Sequence, residues 1–409
     1  MTGDLPLTGV TVVSLEQAVA APMATRHLAD QGARVIKIER VDGGDFARDY
    51  DNAVKGLGSH FFWLNRGKES VALDLKTGEG RELLRQLIDR ADVFVQNLAP
   101  GAAARLGLDA GTLRAERPGL IVVDMSGYGS SGPYRDRRAY DLLVQSETGL
   151  VSITGTPEAA AKTGIPTADI AAGMYVYSGV LAALFRRERT GAGAHLEVSM
   201  FDALTEWMGH PLYLTAHTGR NPPRAGLSHP VIAPYDAYPT ADGPDVLIGI
   251  QNDRGWVRLV TEVLDRPELA TDPDFATNAA RVRNRQRVDG LVAEGTGKLP
   301  GDELVRRLDA AGIASARLNS VRDLLAHPQL AERDRWREVP TPVGPVPALL
   351  PPVLFSDVEA HMGAVPALGA HTRRVLAELG LSAERIDELA GRGVLAFGAS
   401  DVVDEEGEG

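Results

Sequence analysis

The sequence predicts an α/β protein in which a parallel sheet carries helices on both faces. Three observations lead there. Short apolar runs alternate with helix-spaced segments through the first two hundred residues. A chain of 409 residues is too long for one core, so a second domain is expected. A Pro-, Gly- and His-rich stretch, GHPLYLTAHTGRNPPRAGLSHP (209–230), breaks the alternation where that second domain would begin.

In chain order, VTVVSL (10–15) reads as the first strand and APMATRHLADQG (21–32) as a helix closed by glycine. RVIKIE (34–39) and SVALDL (70–75) are strands, TGEGRELLRQLIDRA (77–91) a helix, and VFVQN (93–97), LIVVDMS (120–126) and AHLEVSM (194–200) further strands. A long helix runs from about Asp169 to Gly191. Beyond the break come the strand DVLIGI (245–250), helices near NDRGWVRLVTEVL and GDELVRRLDAAG, and the strand IASARLN (313–319). A second Pro-rich connection, VPTPVGPVPALLPPV (339–353), leads to two amphipathic helices within 371–394 and an acidic end, DVVDEEGEG, expected to be a disordered tail. The expected division is a large domain over 1–205, a linker over 206–230, a small domain over 231–335, a linker over 336–354, and a return to the large domain over 355–409.

Composition excludes several chemistries. Lys plus Arg number 43 against 55 Asp plus Glu, and a net charge of −12 leaves no basic footprint for nucleic acid. With no cysteine there is no disulfide, thiolate nucleophile or Cys-ligated metal. The nine histidines show no ligand spacing, so no metal site is expected. The first residues lack a basic-then-apolar leader, and no apolar run reads as long enough to cross a bilayer, which points to the cytoplasm and away from membranes.

Asp169, in GIPTADIAAG (164–173), is the leading candidate for chemistry. A loop turns into a long apolar helix there, and a carboxylate on a first helical turn is favoured as the anion. Such a group can be a nucleophile; taken alone, an ordinary helix cap is the commoner meaning. The one literal GxGxxG, Gly127 to Gly132, follows a strand but precedes Pro133, Tyr134, Arg135 and Asp136 rather than a helix, so it lacks the context of a dinucleotide site. Lys37, Arg40, Lys68, Lys76 and Arg105 gather near strand ends, where cations can hold phosphates.

The segments PLTGVTVVSLEQAVAAP, GARVIKIER, NRGKESVALDLKTGEG, ADVFVQNLAPG, SGYGSSGP, AYDLLVQSETGL, ADIAAGMYVYSGVLAALFRRERTGAG, VSMFDAL and LGAHTRRVLAELG follow one another in order along the chain. In that ordered set the chain resembles the family III coenzyme A transferases, the group of formyl-CoA, carnitinyl-CoA and succinyl-CoA:dicarboxylate transferases. The resemblance implies a Rossmann-like large domain, a smaller inserted α/β domain and an interlocked homodimer. It implies that Asp169 is the nucleophile, forming a mixed anhydride and then an aspartyl-CoA thioester. It places coenzyme A, as substrate rather than resident cofactor, against Gln17, Ala18, Arg40, Leu73, Lys76, Asn97, Arg105, Arg138, Tyr140 and Met200. The glycine run that covers the aspartate in formyl-CoA transferase is reduced to Gly249 in LIGIQND (247–253), which turns the expectation towards succinyl-CoA and a C4–C5 dicarboxylic acid. A racemase of 2-methylacyl-CoA is the alternative within the superfamily, set back because Tyr140 stands where that branch carries histidine. An acyl-CoA-binding protein with Asp169 as a mere cap is the alternative without catalysis.

Overall fold

The computed structural model describes residues 4–398; the acidic end, 401–409, lies outside them. The chain divides into two compact units: Met1–Leu150 with Thr163–Tyr213 and Arg335–Gly409, and Val151–Lys162 with Leu214–Asp334.

The first unit is built on strands β1 (Thr11–Leu15), β2 (Arg34–Glu39), β3 (Lys68–Leu73), β4 (Val93–Gln96), β5 (Ile121–Ser126) and β6 (His195–Ser199). Their order across the sheet is β3-β2-β1-β4-β5-β6, all parallel, with a short strand from the chain's end, Leu395–Ala396, antiparallel outside β3. Among its helices are α1 (Ala20–Asp30), α2 (Ser59–Leu64), α3 (Gly78–Asp89), α4 (Asp141–Glu147), α5 (Thr167–Thr190), α6 (Met200–Trp207) and α7 (Gly209–Thr218).

Alternation along each strand divides the core. Val12, Val35, Val95 and Val123 pack one face against Ala21 and Leu28 of α1 and Ala172 and Val176 of α5. Val13, Ile36, Phe94 and Val122 pack the other against Leu84 and Ile88 of α3 and Leu376 and Leu389 from the end of the chain. α1 and α5 approach closely enough that a Cβ on Gly173 would lie 2.6 Å from the Ala20 carbonyl oxygen.

α5 corrects one expectation. Its 24 residues reach a hydropathy of 1.5, enough by length and composition to cross a membrane. Ser, Thr and Tyr interrupt its apolar residues, which hid that length in the sequence. In the fold Ala168, Ala171, Ala172, Val176 and Val180 are buried in the core.

The second unit has a three-stranded antiparallel sheet of β7 (Tyr235–Tyr238), β8 (Val246–Gly249) and β9 (Ser315–Arg317). Its core is Trp256, Leu259, Phe275 and Leu304, and part of LIGIQND is the strand β8. The stretches read as linkers hold regular structure. α7 occupies ten residues of the first, because Pro211 falls in the opening turn, where a missing N–H costs no helical hydrogen bond. In the second, β10 (Trp336–Val339) and β11 (Val346–Leu349) form a hairpin; both strands of a two-stranded ribbon are edges, where Pro347 is tolerated. The chain closes with α8 (Thr372–Glu378) and α9 (Ala383–Gly391).

Candidate active site

Strand order reverses between β1 and β4, and in open α/β sheets ligands bind beyond the carboxyl ends of strands at that point. Gln17, Ala18 and Asn97 lie there. The Asn97 amide accepts from the Gln17 N–H at 3.0 Å and donates to the Gln17 carbonyl at 2.9 Å, locking the turn after β1. Ala18 has φ +65°, a conformation that costs a non-glycine residue about 1–2 kcal/mol. It is held by its N–H, which donates to Asp45 Oδ1 at 3.0 Å. The Gln17 side-chain oxygen is buried with no partner among the described residues.

An ionic network supports this turn from below. The fully buried Lys37 ammonium lies 2.6 Å from Asp45 and 3.5 Å from Glu16, and the equally buried Lys68 lies 2.7 Å from Glu16. Burial pushes Lys68 down to about 8, against the pull of Glu16. Although burial alone would raise Glu39, the Arg48 guanidinium holds it at about 2, with help from Lys37 and the Ser70 hydroxyl. Lys37 and Lys68, read from sequence as cations for a ligand, are therefore committed inside the protein.

A cavity of about 640 Å³ opens at the carboxyl ends of β1, β2 and β3, in the usual range for small-molecule sites. It brings together Gln17, Arg40, Leu73 and Lys76 of the expected CoA contacts and adds Arg81. Arg40 lies 4.7 Å over the Phe46 ring and donates to the Gly44 carbonyl, and Arg81 donates to the carbonyls of Leu75 and Lys76. Three cations thus line one hollow with Leu15, Ile38 and Leu73, and the acidic Asp42 and Asp74 share its lining. The exposed Arg105 precedes Leu106, which lines the same cavity. Arg138 and Tyr140 are exposed on the loop before α4, outside that lining, and the Met200 side chain is buried in the core at the start of α6.

Asp169 is half-buried in the first turn of α5. Its neighbour Ile170 packs against the cluster of Val19, Met23 and Leu64, and Gly173, one turn on, abuts Ala20, so the first turn of α5 lies against the residues that follow the Gln17–Ala18 turn. The α5 terminus is capped from outside: Asp141 Oδ1 accepts the N–H groups of Ala168 at 2.8 Å and Asp169 at 3.3 Å, and Oδ2 accepts from the Gln145 amide at 2.6 Å. Burial raises the Asp169 carboxyl to about 7, and the charge of Asp141 adds to it. The Tyr50 hydroxyl is raised by burial and by the nearby carboxylates of Asp45 and Asp169. The GxGxxG loop turns through positive φ at Gly129 and Gly132, and the next helix begins only at Asp141, so no helix terminus meets its last glycine.

CoA-transferase family III matches residues 7–372. The chain belongs to CoA-transferase family III. A relative within it, the succinate–glutarate CoA-transferase of Agrobacterium fabrum, is 35% identical over 384 residues, covering 91% of this chain and 96% of that protein. The succinyl-CoA–D-citramalate CoA-transferase of Chloroflexus aurantiacus is 33% identical over 405 residues, covering 95% and 98%. Among solved structures, a CaiB/BaiF family protein from Brucella suis superposes with a TM-score of 0.84 at 35% identity, covering 92% of this chain and 100% of that one.

Several residues of this CoA-transferase's site escape sequence reasoning. Asp141 adjoins the quoted Tyr140, but its bond to α5 spans 27 positions and leaves no local pattern. Asp45 and Tyr50 sit in an irregular loop. Arg81 lies near the start of α3, where an arginine signals nothing by itself; only its place in the folded cavity with Lys76 does.

Proposed function

We propose that this CoA-transferase moves coenzyme A from an acyl-CoA of the succinyl-CoA kind to a C4–C5 dicarboxylic acid, with Asp169 as the nucleophile. The observation that carries the reading is that the first turn of α5, which bears Asp169, packs against the residues that follow Gln17 and Ala18, while Gln17 itself lines a cavity with Arg40, Lys76 and Arg81. The cations suit the phosphates of CoA, Leu73 and Leu98 suit its apolar arm, and the turn after β1 leads the thioester towards Asp169.

The steps follow from the carboxylate. Asp169 attacks the thioester carbonyl; the C–S bond breaks, leaving an aspartyl–acyl anhydride and CoA thiolate. The thiolate attacks the aspartyl carbonyl, forming aspartyl-CoA and releasing the donor acid as carboxylate. The acceptor carboxylate attacks aspartyl-CoA, and the returning thiolate takes the new acyl group and restores Asp169. A carboxyl held near 7 is a more basic nucleophile than an ordinary aspartate while remaining substantially ionised at neutral pH.

The named relatives act on succinate, glutarate and citramalate, which supports the dicarboxylate class. Exposed Phe185, Trp207, Leu212 and Tyr213 give α5 to α7 an apolar surface that fits a second copy of the chain, in keeping with an interlocked homodimer in the cytoplasm. The test is to incubate the enzyme with succinyl-CoA and trap with hydroxylamine. A hydroxamate on Asp169 supports the reading, and transfer proceeding with no covalent adduct at any residue refutes it.

A further inference from the structure

Any dicarboxylate acyl group attached at Asp169 carries a second, remote carboxylate, and that charge needs a hydrogen-bond donor as it leaves water. No cation offsets the raised Asp169 carboxyl among the described residues, so the donor must be sought a few ångströms further out. The helix α2 supplies a candidate. Its Leu64 is fully buried and packs with Val19 and Met23 beside Ile170 and Met174 of α5, fastening α2 to the turn that bears Asp169. At the other end of α2, the ring of His60 meets Tyr50 edge-on at 5.7 Å between centroids and Trp63 at 6.5 Å. Tyr50 in turn neighbours Asp169 and Tyr140. Tyr50, Trp63 and Tyr140 are all exposed, an aromatic rim with one imidazole among them.

His60 is half-buried, its Nδ1 is shut away from water, and neither of its nitrogens makes a hydrogen bond among the described residues. An imidazole that satisfies neither nitrogen within the fold contributes little to stability by being polar. Asp51, a carboxylate that feels the charge of His60, is engaged by the Ser59 hydroxyl at 2.6 Å and by the N–H groups of Ala53 and Ser59. Those bonds, with a smaller pull from His60, hold Asp51 at about 2. Asp51 therefore leaves His60 its donor capacity.

We propose that His60 binds the remote carboxylate of the dicarboxylate acyl group and so sets the preference of the enzyme for dicarboxylic over monocarboxylic acids. The proposal rests on the assignment of Asp169 and of dicarboxylate substrates made above, and it goes further in naming the group that reads the second carboxylate. His60 makes no bond with the reacting atoms; Tyr50 and Trp63 enclose the methylene chain between.

The test compares wild type with His60→Phe, which keeps a flat ring against Tyr50 and Trp63, and His60→Gln, which restores a donor. Glutarate and butyrate serve as acceptors with succinyl-CoA as donor. His60→Phe should raise KM for glutarate about ten- to hundredfold with kcat within a fewfold, lowering the glutarate-to-butyrate ratio of kcat/KM at least tenfold. His60→Gln should recover most of that ratio. Equal losses for both acids, or an unchanged glutarate KM, overturns the proposal while leaving Asp169 chemistry intact. A wild-type enzyme that uses butyrate but not glutarate overturns both this proposal and the dicarboxylate reading. Hydroxamate formation on Asp169 in His60→Phe shows that the variant has kept its fold and its nucleophile.

Discussion

Asp141→Asn separates the two jobs of the carboxylate that caps α5. The amide oxygen still accepts from Ala168 and Asp169, so the helix terminus stays satisfied. The negative charge beside Asp169 disappears, and with it the second of the two causes that raise Asp169 to about 7. Burial remains, so the carboxyl settles between its ordinary value and 7. In the wild type the ionised fraction of Asp169 rises from roughly a tenth at pH 6 to nine-tenths at pH 8, so kcat/KM should rise about tenfold over that span. In Asp141→Asn the acid limb moves down and the pH 8 to pH 6 ratio falls towards one. The new amide nitrogen faces the Gln145 amide, donor against donor, which costs about 1 kcal/mol of stability without touching the charge argument. The assay is kcat/KM for succinyl-CoA across pH with thermal unfolding alongside. A variant whose limb stays near 7 or moves upward refutes the coupling between these carboxylates.

Asp169→Asn should abolish transfer and yet stabilise the fold. A carboxyl raised in the native state binds a proton that the unfolded chain releases, so stability falls as pH rises from about 4 to 7; the amide removes that penalty, worth about 1–2 kcal/mol above pH 7 after discounting partial exposure, and calorimetry that finds a lower Tm contradicts it. Neutralising Arg40, Lys76 or Arg81 should raise KM for acyl-CoA about tenfold each with a smaller change in kcat, whereas unchanged CoA binding in all three places the pocket elsewhere. Gly173→Ala should push α5 off Ala20, since the new methyl meets a backbone oxygen at 2.6 Å; a loss of about 1–3 kcal/mol and a fall in kcat are expected, and a neutral outcome in both contradicts the close approach. No deuterium exchange is expected at the α-carbon of a 2-methylacyl-CoA without an acid acceptor, because Tyr140, 70% exposed, lacks a ready base; rapid exchange would count against the transferase chemistry.

Most of the first unit was legible because its strands are short and apolar and its helices end at glycines or caps; β1 to β6 fall within a residue or two of the runs that predicted them. The start of α5 was legible too, since Pro166 caps an unbroken helical stretch that opens at Thr167. What sequence hides is burial and distance. Lys37 and Lys68 carry the same side chain as Lys76, yet two are sealed inside with Glu16 and Asp45 and one faces the cavity. The strand register that decides this is a tertiary fact. Proline misled at Pro211 and Pro347 because its cost depends on whether an N–H was needed there, which only the finished hydrogen-bond pattern reveals.

The first unit is assembled from three stretches of chain, and its last contributors are encoded after the second unit. Leu395 pairs with Leu73 at the cavity wall, His371 Nδ1 accepts the N–H of Ser70, and Leu376 and Leu389 close the core over β2 and β3. Most of the second unit, by contrast, is a continuous run from Leu214 to Asp334. On the ribosome the later-encoded unit can therefore complete its core while the earlier-encoded sheet still waits with one flank open. A nascent chain stalled before residue 370 should expose the β3 edge and that flank to chaperones, and the cavity at the carboxyl ends of β1 to β3 is among the last features to acquire its shape.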